Sequence, residues 1–555
     1  MPLNITLIQD RFQVGDIHRN ADRIIQLSQQ AHQRGADLVV FPELALVGYP
    51  PEDLLHRISF IRLAEKECQR IQQALKTTIG DTAVIFGLPM IHDSGELPAG
   101  ADGLHHRLYN AAVNIQHGIV RNFYFKQSLP NYAVFDELRY FLPGSESCVI
   151  KLGDYRLGLL ICEDVWLPEI VEDCVSAGAQ ALVVLNASPF HQHKHAERIA
   201  MLRANAIHHK LPLIYLNMIG GQDELVFDGD SLVVDADANI AARGPLFEPD
   251  MIELVLDGKQ ISARPGAHEA PEELTSEAVT YRALVTGTRD FVHNNGFKGA
   301  VIGLSGGVDS ALTLAIAVDA LGADNVMAVM MPSRYTADIS VTDAEEEARI
   351  LGVDYELIAI EDVYQQFLES LAPVFRGAPA DTTEENLQAR CRGVLLMAIS
   401  NKQGKMLLTT GNKSEMAVGY ATLYGDMCGG FAPIKDVCKT LVYKLCHYRN
   451  SVSQVIPQRV LTRAPSAELR EDQTDQDSLP DYAVLDRILE LSVEQDVPVD
   501  EIVAQGIDRS VVEQVITLVQ RNEHKRRQSA PGIRITRRAF GRDRRYPITS
   551  GYRRK

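Results

Sequence analysis

Short runs that are apolar at nearly every position alternate along this chain with longer stretches in which apolar residues recur every three or four positions. The first kind reads as strands buried on both faces, the second as helices that cover them. In the N-terminal half, strands are expected at 3–8, 36–41, 83–86, 111–115, 157–161, 181–185 and 213–216, with an amphipathic helix at 21–34. The second half continues the alternation. A helix at 278–294 leads to a strand beginning at Ala300, then a helix from Asp309 or Ser310 to a stop at Gly322. A strand ending near Met331, a helix at 342–351, a strand at 355–360 and a strand at Met406 follow. This order predicts an α/β protein, and in the second half a doubly wound parallel sheet. Between the halves, 257–277 is rich in Pro, Gly, Ala and Glu with little periodicity. A first domain at 1–255, a linker at 256–277 and a second domain at 278–555 are therefore expected.

Composition narrows the class. A chain of 555 residues is too long for one core when domains run about 100 to 200 residues. With 46% hydrophobic and 23% charged residues it has an ordinary globular make-up. No apolar run approaches the ~20 residues that span a bilayer, and the first residues lack a basic region followed by an apolar one. A cytoplasmic protein without a membrane partner is expected. The eight cysteines include no Cys-x-x-Cys pair, which argues against a disulfide framework and a structural zinc. A net charge of −18 disfavours nucleic acid as a general partner. Against that background 521–555 is strongly basic; a solvated tail, an RNA-binding arm, a dinucleotide contact and a subunit contact are all compatible with it.

The stretch from Ala300 to Ser310 holds the clearest chemistry. An apolar strand runs into Ser305-Gly-Gly-Val-Asp-Ser310 and then into a helix. Two glycines let the backbone approach phosphate oxygens, two serines add hydroxyls, and the helix start supplies unpaired N–H groups. Asp309 would repel a polyphosphate unless a cation lay between, so it implies a Mg²⁺ bridge. The Gly-Lys-Ser/Thr ending of a Walker A loop is missing. The loop resembles instead the pyrophosphate-binding loop of N-type ATP pyrophosphatases, which adenylate a carboxylate or carbonyl and release pyrophosphate. The competing reading is a plain Gly-rich turn before a core helix.

Three strand ends in the first half also carry reactive groups: Glu43 in Phe41-Pro-Glu43-Leu44, Lys126 in Phe125-Lys126-Gln127, and Cys162 in Ile161-Cys162-Glu-Asp-Val-Trp166. Carboxyl ends of strands in α/β sheets converge on one crevice, so the three can meet. A carboxylate base, an ammonium facing a developing oxyanion and a thiol suffice for amide hydrolysis. Singly, each has a structural reading: a core cysteine, a helix-start glutamate, a surface lysine. Together, with the run from Lys126 to Phe141, they resemble the nitrilase (carbon-nitrogen hydrolase) family over 1 to about 250. The resemblance implies an αββα sandwich, with Glu43 as general base, Lys126 in the oxyanion pocket and Cys162 as nucleophile. It puts Glu137 on the family's second glutamate. In the branch that hydrolyses glutamine, Tyr132, Glu137, Ser188 and Lys194 fall on glutamine-binding positions.

In the second half, Thr383 reads as an N-cap for the helix carrying Asn386 and Arg390, and Thr410 and Glu415 flank a strand-to-helix turn. With the loop at 305–310, the segments Met331-Pro-Ser333-Arg-Tyr-Thr336, Glu385-Asn-Leu-Gln-Ala-Arg390, Thr410-Gly-Asn-Lys-Ser-Glu415, Tyr424-Gly-Asp-Met427 and Pro465 to Pro480 resemble the NAD synthetase family over about 278–550. That resemblance implies ATP as co-substrate at Gly303, Leu304, Ser305, Gly306, Gly307, Val308, Asp309, Ser310 and Thr410. It implies Mg²⁺ at Asp309 and Glu415, and deamido-NAD at Asn386, Glu415 and Lys525. Cys438 departs from the family, which often has proline there. The two resemblances together imply an enzyme that releases ammonia from glutamine, passes it on internally, and uses ATP to adenylate and amidate deamido-NAD, and they imply a homo-oligomer whose subunits complete each other's sites. Another ATP-pyrophosphatase amidotransferase acting on a different carboxylate is the second reading, and a catalytically inactive nucleotide sensor the third.

Overall fold

The computed structural model describes residues 1–92, 108–265, 273–471, 473–477 and 479–552. It divides into two compact units, Met1–Gln222 with Val226–Glu273, and Leu274–Lys555 with Asp223–Leu225.

The first unit is built on two sheets. One runs, in spatial order, Gln260–Ala263, Asp250–Asp257, Leu3–Gln9, Leu38–Val40, Ala83–Ile91, Leu108–Gln116, Ile119–Phe125. The other runs Ile240–Arg243, Leu232–Val234, Leu213–Asn217, Ala181–Asn186, Tyr155–Ile161, Cys148–Leu152. Their central strands are parallel, as the uninterrupted apolar runs require. Leu3, Ile5, Leu7, Val40 and Ile85 of one sheet share a core with Leu157, Leu159, Val183 and Ile214 of the other. Helix Ile58–Leu75, with Ile17–Gln33 alongside, covers the first sheet, and Pro168–Ser176 and Lys194–His209 cover the second. The unit is an αββα sandwich. Helix Ile17–Gln33 starts earlier than the apolar spacing suggests because the Asp16 side chain caps it, accepting from the Arg19 N–H.

The expected linker needs correction. Its first part pairs as a hairpin, Asp250–Asp257 with Gln260–Ala263, turning at Gly258. The return strand buries only Ile261, too little apolar signal to stand out from a polar connection. Helix Ser276–Asn294 then begins at the Thr275 cap, and 266–272 lie outside the described residues.

The second unit centres on a parallel sheet ordered Asp354–Leu357, Val326–Met330, Ala300–Gly303, Met406–Leu408. In chain order this is 3-2-1-4, so the connections reverse direction between the strands ending at Gly303 and Leu408. That reversal opens a crevice at the carboxyl ends of those two strands. Helices Val308–Leu321, Asp338–Leu351 and Thr382–Gln403 pack on this doubly wound sheet. The cap of the last is Asp381, not Thr383: Asp381 accepts from Thr383 N, and Glu384 reaches back to the Asp381 N–H at 2.8 Å. Farther along, Tyr482–Leu489, Val499–Val503 and Arg509–Arg521 share a second core that includes Ala417 and Val418. The basic C-terminal stretch is largely folded in. Arg526 and Arg544 are buried against Glu523, and Arg534 against Asp543. Among the described residues, no helix is long and apolar enough to cross a membrane.

Candidate active sites

In the first unit, three strands deliver the reactive groups. Glu43 follows Leu38–Val40, Lys126 follows Ile119–Phe125, and Cys162 follows Tyr155–Ile161. All three are buried. The Lys126 ammonium lies 2.8 Å from Glu43 Oε1 and 2.8 Å from Glu137 Oε1. Glu43 Oε1 also accepts from Asn110 Nδ2 at 2.8 Å, and its Oε2 from the Ala187 N–H at 3.0 Å. Tyr49 donates to Glu137 at 2.8 Å. Burial pulls the Lys126 pKa down, but Glu137 and Glu43 outweigh it and hold the ammonium well above its ordinary range. Cys162 opens a tight turn, Cys162–Trp166, with φ of 47°, a left-handed conformation uncommon outside glycine. Burial first, then Glu43, pushes its thiol well above the usual value, and Lys126 offsets this only in part. The resting group is a thiol that needs a base, not a preformed thiolate.

The expected glutamine-binding residues surround this centre. Tyr132 donates to Glu163, the residue after the cysteine, at 2.8 Å. The Lys194 ammonium sits 4.4 Å from the centre of the Trp166 ring. Burial raises the Tyr132 hydroxyl pKa and lowers that of the Lys194 ammonium, and both groups lie close enough to Cys162 to interact with its thiolate when it forms. Ser188 is fixed by its N–H to Asn217 Oδ1 at 2.9 Å and by Arg198, which donates to its carbonyl and hydroxyl at 3.0 and 3.2 Å. Glu163 and Lys194 thus bring opposite charges to the rim of one buried thiol.

In the second unit, a cavity of about 310 Å³ opens at the sheet crevice, lined by Gly303 to Ser310, Thr410 and Glu415. Gly306 adopts φ of 77°, and a β-carbon there would lie 2.3 Å from the Ser340 carbonyl oxygen. Ser305 and Ser310 hydroxyls meet at 3.0 Å, and Ser310 donates to the Gly307 carbonyl at 2.9 Å. Helix Val308–Leu321 therefore presents its first N–H groups to the cavity with the loop already shaped. Asp309 and Glu415 converge on one cation, the Lys439 ammonium, at 2.5 and 3.0 Å. Asn412 fixes both, donating to Asp309 at 2.9 Å and capping the Glu415 N–H at 3.0 Å. Burial, opposed by Lys439, pushes the Glu415 carboxyl upward. Two carboxylates around one cation are a hard-oxygen donor set that suits Mg²⁺.

Two expected residues stand elsewhere. Asn386 accepts from Thr422 at 2.7 Å, and Lys525 donates to the carbonyls of Gly419 and Ala421 at 2.8 Å each. Neither lines the cavity; both hold the loop whose Tyr420, Ala421, Gly425 and Asp426 do.

The family described as carbon-nitrogen hydrolase matches residues 4–264, and that described as NAD synthase matches residues 280–529. Over 99% of its length the chain is 49% identical to the glutamine-dependent NAD(+) synthetase of Xylella fastidiosa, of which it covers 99%. It is 47% identical to the protein of that name from Acinetobacter baylyi, over 99% of this chain and 98% of that one. The solved glutamine-dependent NAD+ synthetase of Acinetobacter baumannii, in complex with ADP, matches with a TM-score of 0.78 and 44% identity over the whole of both chains. The chain belongs to the glutamine-dependent NAD(+) synthetase family.

In this NAD(+) synthetase family member the geometry adds residues that the sequence did not single out. Asn110 sits inside an apolar strand, and only the folded sheet points it at Glu43. Lys439 starts a helix 130 positions from Asp309, next to the Cys438 that departs from the family, and only the fold brings it to Asp309. Arg392 and Arg463 bring further cations to the cavity wall.

Proposed function

We propose that the chain is a glutamine-hydrolysing NAD(+) synthase, converting deamido-NAD, ATP and glutamine to NAD, AMP, pyrophosphate and glutamate. One observation carries this reading: a single chain holds both the Glu43–Lys126–Cys162 centre and a phosphate loop whose aspartate converges with Glu415 on one cation.

In the first reaction Glu43 takes the Cys162 proton as sulfur attacks the glutamine amide carbon. The oxyanion that forms meets the Lys126 ammonium, and Glu137 and Glu43 keep that ammonium charged. Glu43 returns the proton to the leaving ammonia, then activates the water that hydrolyses the thioester. Glu163 and Lys194 suit the ammonium and carboxylate of a free amino acid, with Tyr132 and Ser188 completing the wall.

In the second reaction the backbone at 303–310, with Thr410, receives ATP. Asp309 and Glu415 would hold Mg²⁺, which when bound neutralises the pyrophosphate leaving group. Lys439 supplies positive charge at the same point. The nicotinate carboxylate of deamido-NAD attacks the α-phosphate and ammonia displaces AMP. Asn386 and Lys525 support the dinucleotide side of the cavity through the loop at 419–426.

A homo-oligomer is supported by helix Glu361–Phe375, which buries only Tyr364 and leaves Val363, Phe367 and Val374 exposed. Eight free cysteines support a reducing compartment, the cytoplasm. The defining test follows NAD, AMP and glutamate from ATP, glutamine and deamido-NAD. Equal yields of the three support the reading; turnover only with another carboxylic acid favours a different amidotransferase.

A further inference from the structure

Asp164 lies two positions beyond the proposed nucleophile, is wholly buried, and takes no part in the chemistry described above. Its two oxygens accept four hydrogen bonds. Oδ2 receives the Ile161 N–H at 3.0 Å and the Tyr124 hydroxyl at 2.8 Å. Oδ1 receives the N–H groups of Gln127 at 3.1 Å and Ser128 at 2.8 Å. A carboxylate offers about four acceptor positions, so all are in use. Ile161 immediately precedes Cys162, whereas Tyr124, Gln127 and Ser128 bracket Lys126. One side chain therefore ties the turn bearing the thiol to both flanks of the residue bearing the ammonium. That turn needs support, because a left-handed φ at a non-glycine residue persists only where its surroundings enforce it.

We propose that Asp164 is a positioning residue for glutamine hydrolysis, setting the separation of the Cys162 sulfur from the Lys126 ammonium. The inference rests on the reading of Cys162 as nucleophile and Lys126 as oxyanion partner. Asparagine at this position keeps the shape but turns an NH₂ group toward two donors, so one half of the clasp opens. A displacement near 1 Å between reacting groups costs about 100-fold in rate.

The test measures glutamine hydrolysis and ammonia-supported NAD synthesis on the full chain for wild type, Asp164→Asn and Tyr124→Phe. For Asp164→Asn, kcat with glutamine is expected to fall about 100-fold, with KM for glutamine and ammonia-supported synthesis unchanged. Tyr124→Phe removes one donor of the four and should lower the same kcat by a smaller factor, again without moving KM. Unaltered kcat in Asp164→Asn overturns the inference, as does a parallel loss of both activities with folded fraction. If Asp164→Asn does not fold, an unaltered kcat in Tyr124→Phe overturns it. A wild type that makes NAD from ammonia but never hydrolyses glutamine overturns the underlying reading, and the inference with it; hydrolysis by wild type beside an unaffected Asp164→Asn overturns the inference alone.

Discussion

Cys162 shows how one side chain can be reactive only on demand. Burial and the Glu43 carboxylate both disfavour its thiolate, so the thiolate fraction rises only at high pH. Alkylation by iodoacetamide should therefore keep accelerating through pH 9; a plateau near neutrality would contradict this assignment. Glu43→Gln separates the two effects of the carboxylate. Losing its charge lowers the thiol pKa and speeds alkylation at a given pH, while losing the base slows glutamine hydrolysis by about 10²- to 10⁴-fold. Unchanged glutamine hydrolysis in Glu43→Gln would argue against Glu43 as the base, and slower alkylation would contradict its effect on the thiol. At this scale the sequence was informative where a polar residue closes an apolar strand, as at Glu43, Lys126 and Cys162. It was silent on Asn110 and Lys439, whose roles depend on what the fold brings opposite them.

The strand, loop and helix from Ala300 to Leu321 were legible as an element because each part has its own physical signal: a buried run, paired glycines, a stop at Gly322. Gly306 makes the loop's shape obligatory. A side chain there must adopt a left-handed backbone, costing about 1–2 kcal/mol, and its β-carbon meets the Ser340 carbonyl as well. Gly306→Ala should weaken ATP binding by about tenfold or more, read by calorimetry, while glutamine hydrolysis persists. Unchanged ATP affinity would mean that phosphates bind elsewhere. Elements with weak signals were the ones misread. The Gln260–Ala263 strand buries a single apolar side chain, and Asp381 caps its helix two residues before Thr383, which looked like the cap.

For the whole molecule, two units with separate reactive centres imply activities that mutations can divide. Asp309→Ala removes one of the two carboxylates converging on Lys439 and should stop synthesis with either nitrogen source while glutamine hydrolysis stays detectable. Full synthetase activity in that variant would exclude Asp309 from a cation bridge. The chain's basic C-terminal stretch, ambiguous in sequence, is tied up within its own unit through Arg526, Arg534 and Arg544. Its charge was readable but its partners, Glu523 and Asp543, were not. The most direct measurement compares NAD and AMP formation by wild type and Cys162→Ala, with glutamine or ammonium as nitrogen donor. The expected result is a variant that works with ammonium at the wild-type rate and not at all with glutamine. A variant that still makes NAD from glutamine would contradict Cys162 as the source of ammonia and, with it, the coupling of the two reactions in one chain.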